Sequence, residues 1–201
     1  MPQLTSRYCS ALTFAAELHR DQCRKKTTIP YVAHLLAVSS LALEQGADED
    51  EAIAALLHDA VEDQGGATTE ATIRRLFGER VADIVVGCSD SKDGEQKKTW
   101  KERKTEYLGH LPAADGSIRL VSACDKLHNA RSILADLRAH GSVVWARFSP
   151  SPEEILWYYR SLANEFSKEG PDHIASLADQ FHRVVVELEE FAAQGRVQTA
   201  D

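Results

Sequence analysis

Hydrophobic residues return every three or four positions along most of the chain, which is the spacing of amphipathic helices. No segment alternates apolar and polar residues for long enough to require a β-strand. The pattern therefore predicts an all-α helical bundle of about eight to ten helices. We expect one domain over residues 1–195, followed by a frayed tail at 196–201.

Helix start and stop signals set the expected boundaries. The first helix is expected over residues 5–22, and the second from Tyr31 to Gly46. Asp48 with Glu51 has the spacing of a capping box and predicts the start of a third helix. The further helices are expected from Thr68 or Thr69 to Gly78, Val81 to Cys88, Lys98 to Leu111, Ser117 to Leu137, Val143 to Phe148, Ser151 to Gly170, and Asp172 to Ala193.

The stretch LLHDAVED interrupts an apolar helical run with four residues that bind metals or move protons. On one continuous helix His58 would lie beneath Glu62, and Asp59 beneath Asp63, so that all four share a face. Ionised carboxylates on a buried face cost several kcal/mol each unless a cation compensates them. A metal site is therefore the first hypothesis. The alternative is a helix that ends at Gly65 and exposes its acidic pair to water.

Two further residues support the metal hypothesis. His34 lies at the start of the second expected helix, although a lone histidine there could also be a core residue with a satisfied partner. Asp125 interrupts an apolar stretch in the middle of a helix, where capping cannot explain it, and Asn129 follows one turn later.

His34, His58, Asp59 and Asp125 together offer two nitrogen and two oxygen ligands from three segments of the chain. This mixture of imidazole and carboxylate donors suits Mn²⁺, Fe²⁺, Zn²⁺ or Ni²⁺, and it is not the donor set of a soft thiolate site. A metal at such a site lowers the pKa of bound water. Glu62 and Asp63 would orient or deprotonate that water. The chemistry indicated is hydrolysis of a phosphate ester or anhydride.

These motifs resemble the HD-domain metal phosphohydrolases, and within them the hydrolase domain of RelA/SpoT proteins and the stand-alone small alarmone hydrolases. The resemblance covers about residues 10–170. It rests on the segment from Phe14 to Tyr31, the HDxxED motif from His58 to Asp63, the SDSK element from Ser89 to Lys92, the WKERK stretch from Trp100, and DKLHNARSI from Asp125.

The resemblance implies an HD-domain helical fold and a Mn²⁺-dependent enzyme that removes the 3′-pyrophosphate of ppGpp and pppGpp, yielding GDP or GTP. It implies metal ligation by His34, His58, Asp59 and Asp125. Glu62 and Asp63 match the residues that activate water and position the scissile phosphate. The length leaves no room for the synthetase domain of larger relatives, so alarmone synthesis is not expected.

The resemblance also implies substrate contacts. Arg24 matches a residue that stacks on guanine, with Lys25 beside it, and Asn129 matches a residue that contacts the sugar. Two positions around Asp125 depart from the family pattern, since Cys124 precedes Asp125 and His128 replaces an aromatic residue. The segment from Trp157 to Arg160 also does not match the tyrosine-containing substrate loop of animal relatives. These departures affect base and sugar selectivity and leave the metal ligands in place.

Composition restricts the partners. A net charge of −8 at pH 7 argues against a broad nucleic-acid surface, and no apolar run approaches the length of a membrane span. The 4 cysteines lack metal-binding or secreted spacing, and no signal pattern opens the chain, so a cytoplasmic enzyme is expected. A basic stretch from Lys92 to Lys104 could bind phosphate or simply face solvent. The sequence leaves the oligomeric state open.

Two alternatives to alarmone hydrolysis remain at this point. The same metal chemistry could act on another nucleotide, such as pppApp, the 2′-phosphate of NADPH or a nucleoside phosphate. The protein could instead be a non-catalytic nucleotide sensor, although a pure binding module has no need of Glu62 and Asp63. Trp157 to Tyr159 could line a substrate cleft, but helix packing is the favoured role.

Overall fold

A computed structural model of the protein describes residues 3–89, 98–168 and 172–197. These residues are folded into helices joined by short connections, and their only β-type pairing is an isolated antiparallel bridge between Cys23 and Pro30. The all-α prediction is confirmed. Among the described helices, none combines the length and the hydrophobicity needed to cross a membrane.

The helices fall into two compact units, residues 1–125 and 126–201. The first unit contains most of the chain's motifs. Its elements are α1 (Ser6–Leu18), α2 (Val32–Glu44), α3 (Glu49–Leu57), α4 (Ala60–Asp63), α5 (Gly66–Phe77), α6 (Glu79–Cys88), α7 (Trp100–His110), a 3₁₀ helix (Leu111–Ala113) and the first part of α8 (Gly116–His140).

Helix α3 is the centre of the first unit, since it packs against α1, α2 and α6. Every residue from Ala52 to Leu57 is buried, which is the pattern of a helix surrounded by other elements. Burial of each large side chain, such as Ile53 or Leu56, contributes about 1.5–3 kcal/mol to folding. This helix is a rigid support for the residues that follow it, His58 and Asp59.

The second unit contains the rest of α8, a 3₁₀ helix (Gly141–Arg147), α9 (Pro152–Phe166) and α10 (Asp172–Val197). Helices α9 and α10 pack together, and the ring centroids of Phe166 and Phe181 lie 5.8 Å apart. Tyr158 and Tyr159 are buried, and Tyr159 packs against Phe181. These contacts favour a packing role for the two tyrosines.

Several predicted boundaries differ from those in the structure. Helix α1 ends at Leu18 instead of Gln22, because the chain turns there into the hairpin closed by the Cys23–Pro30 bridge. The helix predicted from Val143 to Phe148 is instead a 3₁₀ helix over Gly141–Arg147, and α10 continues to Val197. The predicted loop at Asp93, most of the SDSK element and residues 198–201 lie outside the described residues.

The predicted capping box at the start of α3 is confirmed. The Asp48 carboxylate accepts a hydrogen bond from the Glu51 N–H at 3.0 Å, and the Glu51 carboxylate accepts one from the Asp48 N–H at 2.8 Å. Partial burial acts to raise the pKa of Asp48, but these hydrogen bonds and the Arg80 guanidinium outweigh it and lower the pKa. The cap therefore contributes stability above the unfolded pKa, and this contribution is lost as the pH falls through the folded value.

Asp48→Ala is expected to lower the free energy of unfolding by about 1 kcal/mol at neutral pH, because a backbone N–H at the helix start loses its acceptor. Urea denaturation followed by circular dichroism measures the change. Asp48→Asn, which retains an acceptor oxygen, is the control and is expected to lose less. Equal stability of Asp48→Ala and the wild type would contradict the capping role.

Candidate metal centre

The helix carrying the HDxxED motif is broken at its centre. Helix α3 ends at Leu57 and α4 begins at Ala60, with His58 and Asp59 forming the junction between them. The prediction of one continuous helix is wrong here. At this junction Nε2 of His58 lies 3.0 Å from Oδ2 of Asp59.

His34 from α2 and Asp125 from α8 complete a cluster with this junction, all within the first unit. Nε2 of His34 lies 3.2 Å from Oδ1 of Asp125 and 3.5 Å from Oδ2 of Asp59. Nε2 of His58 lies 3.5 Å from the same Asp125 oxygen. The structure therefore brings together all four side chains predicted as metal ligands.

The cluster is enclosed. Both histidine side chains and Asp125 are buried, and the Asp59 side chain retains 22% of its exposure. Nδ1 of His58 lies 2.9 Å from the carbonyl oxygen of Ala55, so Nδ1–H donates to that carbonyl. Within the described chain, the buried Nε2 of His58 has no hydrogen-bond partner, although two carboxylate oxygens are close. This tautomer turns the Nε2 lone pair toward the cluster, as a metal-binding histidine requires.

Opposing effects set the charge states of the cluster. Burial lowers the pKa of His58, but the carboxylates of Asp59 and Asp125 outweigh burial and raise the pKa well above its ordinary value. Burial acts to raise the pKa of Asp59, but the adjacent histidines, His58 first and then His34, hold it well below its ordinary value. The cluster therefore attracts positive charge strongly.

The donor set fits a divalent transition metal. Ligand atoms of His34, His58 and Asp59 all lie within 4.8 Å of one another. Donors that share an ion at about 2.0–2.2 Å are separated by about 3 Å, which agrees with the 3.0–3.5 Å separations of the carboxylate and imidazole atoms. Two imidazoles and two carboxylates suit Mn²⁺, Fe²⁺ or Zn²⁺.

Tyr31 supports the cluster, a role that sequence analysis missed. Its hydroxyl donates to Oδ2 of Asp59 at 2.6 Å, and its ring meets the His34 ring edge-on at a centroid distance of 5.6 Å. Burial, followed by the Asp59 carboxylate, raises the pKa of Tyr31, so the hydroxyl retains its proton. The sequence signal was limited to the position of Pro30–Tyr31 just before the helix that carries His34.

Tyr31→Phe is expected to weaken Mn²⁺ binding by about 10- to 100-fold, because hydrogen-bonded partners orient metal ligands and tune their basicity. Isothermal titration calorimetry with Mn²⁺ measures the affinity. Tyr8→Phe is the matched control, since it removes a hydroxyl that contacts Ser39 at 2.8 Å elsewhere in the unit. Equal Mn²⁺ affinity in both variants would show that Tyr31 does not orient Asp59.

Glu62 and Asp63 lie on the single turn of α4, and both are exposed as residues. The expectation that they share a buried face with His58 and Asp59 is wrong, because Glu62 and Asp63 are exposed whereas His58 is buried. The Asp63 carboxyl end is nevertheless partly enclosed, and Oδ2 accepts a hydrogen bond from Nε2 of Gln22 at 2.7 Å. The Asp63 carboxylate can therefore lie between the four clustered side chains and a ligand that enters from solvent.

The residues predicted to bind substrate occupy two places. Arg24 and Lys25 lie on the hairpin after α1, where the Arg24 N–H donates to the Ile29 carbonyl at 2.8 Å and Lys26 adopts a left-handed φ of 55°. Lys25 is exposed and Arg24 is half-buried. Asn129 lies on α8 within the second unit. The substrate contacts of all three stay predictions.

The basic stretch is described only from Lys98 onward. Nζ of Lys98 pairs with Glu106 at 2.8 Å, which places part of this charge in a surface ion pair. Cys124, one of the departures from the family pattern, is fully buried and therefore fills the core beside Asp125.

The fold and the site together define an HD-domain hydrolase. The chain belongs to the HD-domain family, whose sequence model matches residues 11–151. It is similar to the guanosine-3′,5′-bis(diphosphate) 3′-pyrophosphohydrolase MESH1 of Xenopus tropicalis, with 38% identity over 126 residues that cover 61% of this chain and 67% of the relative. The enzyme of the same activity from Aquifex aeolicus is 37% identical over 135 residues, which cover 66% of this chain and 18% of that protein.

The fold of this chain is similar to that of a solved structure over most of the length of both chains. It is described as a metazoan ortholog of SpoT that hydrolyses ppGpp and plays a role in starvation responses. The TM-score is 0.72 at 25% sequence identity, with 91% of this chain and 97% of the other covered. The resemblance to RelA/SpoT-type hydrolases is therefore confirmed.

Proposed function

We propose that the protein is a Mn²⁺-dependent enzyme that hydrolyses the 3′-pyrophosphate of ppGpp and pppGpp, releasing pyrophosphate and GDP or GTP. The observation that carries the proposal is the buried cluster of His34, His58, Asp59 and Asp125 with an acidic pair on the next helical turn. The names of the similar proteins support ppGpp as the substrate.

The four clustered side chains would hold the ion. When bound, a divalent metal polarises a phosphoryl oxygen and makes water more acidic. The chain's part is to fix the donor geometry: Ala55 and Tyr31 orient His58 and Asp59 through their hydrogen bonds. A preorganised, water-poor set of donors makes such electrostatic stabilisation stronger than it would be in bulk water.

Glu62 is the proposed proton acceptor, and Asp63 the group that positions the scissile phosphate. The oxygen of the attacking water forms a bond to the phosphorus attached to O3′, while the bond between that phosphorus and O3′ breaks. The water's proton passes to Glu62, and the departing O3′ takes up a proton. Exposure of both acidic residues on α4 allows a nucleotide to approach them from solvent.

The remaining chain residues would hold the nucleotide. Arg24 would stack on the guanine, Lys25 would pair with phosphate and Asn129 would contact the sugar. We place this enzyme in the cytoplasm, where ppGpp acts as the alarmone of the stringent response, and assign the catalytic domain to residues 1–195.

Product analysis tests the proposal. Purified protein with Mn²⁺ is given ppGpp, pppGpp, pppApp, NADPH and simple mononucleotides in parallel, and products are separated by anion exchange. Intact pyrophosphate together with GDP supports the proposal and identifies the 3′ bond as the one cut. Orthophosphate from NADPH or a mononucleotide, with ppGpp untouched, would refute the alarmone assignment and favour another nucleotide substrate. Protein treated with a chelator is the control.

A further inference from the structure

A chain of side-chain hydrogen bonds leads from the end of α1 to Asp63. Nδ1 of His19 lies 2.6 Å from Oε1 of Gln22, and Nε2 of Gln64 donates to the same oxygen at 2.7 Å. Nε2 of Gln22 in turn donates to Oδ2 of Asp63 at 2.7 Å. Gln22 is therefore the branch point that joins the side chains of His19, Asp63 and Gln64.

The direction of each hydrogen bond is fixed by chemistry. An amide oxygen only accepts, so in neutral His19 the proton must be on Nδ1. Turning the Gln22 amide over would set its oxygen against the Asp63 carboxylate and its NH₂ against the Gln64 NH₂, so only one orientation satisfies all partners. Nε2 of His19 is buried and has no hydrogen-bond partner among the described residues, which agrees with its being the unprotonated nitrogen.

Gln22 also connects two parts of the proposed site. Its carbonyl oxygen accepts a hydrogen bond from the Tyr31 N–H at 2.9 Å, which closes the base of the hairpin that carries Arg24 and Lys25. The His19 ring stacks on the Tyr31 ring at a centroid distance of 5.2 Å, and Tyr31 holds Asp59. Gln22 therefore joins the hairpin through its backbone and the acidic pair through its side chain.

We propose that Gln22 is a positioning residue for hydrolysis, acting through Asp63. Its NH₂ group holds one carboxylate oxygen of Asp63 and leaves the other directed at the substrate, while its backbone keeps the basic hairpin in register with that carboxylate. This inference rests on the proposed function, because it requires Asp63 to position the scissile phosphate.

The environment of Asp63 makes the hydrogen bond from Gln22 consequential. Burial of the carboxyl end acts to raise the pKa of Asp63, whereas the hydrogen bond from the Gln22 NH₂ group to Oδ2 acts to lower it. Loss of the NH₂ donor would raise the pKa further. The acidic limb of the pH–rate profile would then move to higher pH if turnover requires ionised Asp63.

Gln22→Ala is expected to lower kcat by about 10-fold or more, as removal of a supporting hydrogen bond does at other metal sites. Mn²⁺ affinity should stay within about twofold of the wild type, because the side-chain hydrogen bonds of Gln22 end on His19, Asp63 and Gln64 and not on the four clustered ligands. Gln45→Ala is the matched control: Gln45 is a half-buried glutamine at the end of α2, outside the site. Wild-type kcat in Gln22→Ala, or a parallel loss of Mn²⁺ affinity, would overturn the proposal.

Gln22→Glu preserves the shape of the side chain and tests the mechanism even where alanine destabilises the fold. It replaces the NH₂ donor with an oxygen facing Asp63, and two adjacent carboxylates cannot both ionise readily. The acidic limb of the pH–rate profile should move to higher pH by more than in Gln22→Ala. An unshifted profile in Gln22→Glu would contradict the proposal.

A double-mutant cycle and NMR separate this proposal from the proposed function. In an Asp63→Asn background, Gln22→Ala should cost little further activity, whereas an undiminished additional loss would exclude action through Asp63. Long-range ¹H–¹⁵N spectra of the wild type should show the Nδ1–H tautomer of His19; the Nε2–H tautomer would overturn the hydrogen-bond chain whatever the activity. Wild-type protein that binds Mn²⁺ yet leaves ppGpp intact would instead refute the proposed function.

Discussion

Asp125→Ala and Asp59→Ala are each expected to lose bound Mn²⁺ and hydrolysis together. Each substitution removes one of two carboxylates that balance the positive charge of the ion, and it leaves the two imidazole nitrogens close together. Mn²⁺ affinity should fall by more than about 100-fold, which exceeds the effect of losing a supporting partner. Turnover should fall at least about 1,000-fold, since the metal supplies several kcal/mol of transition-state stabilisation.

Calorimetric titration and the pyrophosphate-release assay measure these two losses on the same preparations. Asp83→Ala is the matched control, because Asp83 is an exposed carboxylate on α6 paired with Arg74 at 3.0 Å. An exposed pair of this kind contributes little to stability, so the control should bind Mn²⁺ and turn over normally. A variant of Asp59 or Asp125 that is fully active without metal would refute the assignment of the centre.

Glu62→Gln is expected to keep Mn²⁺ and ppGpp binding while losing turnover by about 100- to 10,000-fold, the range for removal of a general base. The amide retains the size of the side chain and a hydrogen-bonding oxygen, but it cannot accept the water's proton. Single-turnover kinetics measure the chemical step, and equilibrium binding of ppGpp to the same variant measures affinity.

Glu17→Gln serves as the control for Glu62→Gln, because it makes the same chemical change at an exposed position on α1. It should leave both binding and turnover unchanged. Normal single-turnover rates in Glu62→Gln would remove Glu62 from the reaction and leave Asp63 as the remaining acidic residue of α4 to examine.

Local signals in the sequence predicted much of the fold. The capping box at Asp48 depends on a residue three positions away, and the structure contains it. The four clustered side chains were also identified from sequence, since His34 and Asp125 interrupt apolar helical segments without a local reason. Polar residues that disturb a local pattern are good indicators of a site formed by distant parts of the chain.

Other features depend on tertiary geometry and could not be read locally. The apolar run before His58 favours a continuous helix by propensity, whereas in the structure α3 ends at Leu57, where the next residues meet His34 of α2 and Asp125 of α8. Tyr31 and Gln22 reach Asp59 and Asp63 through a hairpin of about ten residues, whose register is set by the Cys23–Pro30 bridge. Nothing in the residue types at these positions specifies that register.

The separation of the four clustered side chains along the chain has a thermodynamic consequence. Donors at positions 34, 58, 59 and 125 meet only after α2, α3 and α8 have packed, so an unfolded chain offers the ion no comparable site. A ligand that binds only the native state, present at 100 times its dissociation constant, stabilises that state by about 2.7 kcal/mol. The cellular supply of the metal would then govern the abundance of this protein as well as its rate, since metal-starved molecules unfold and meet proteases more often.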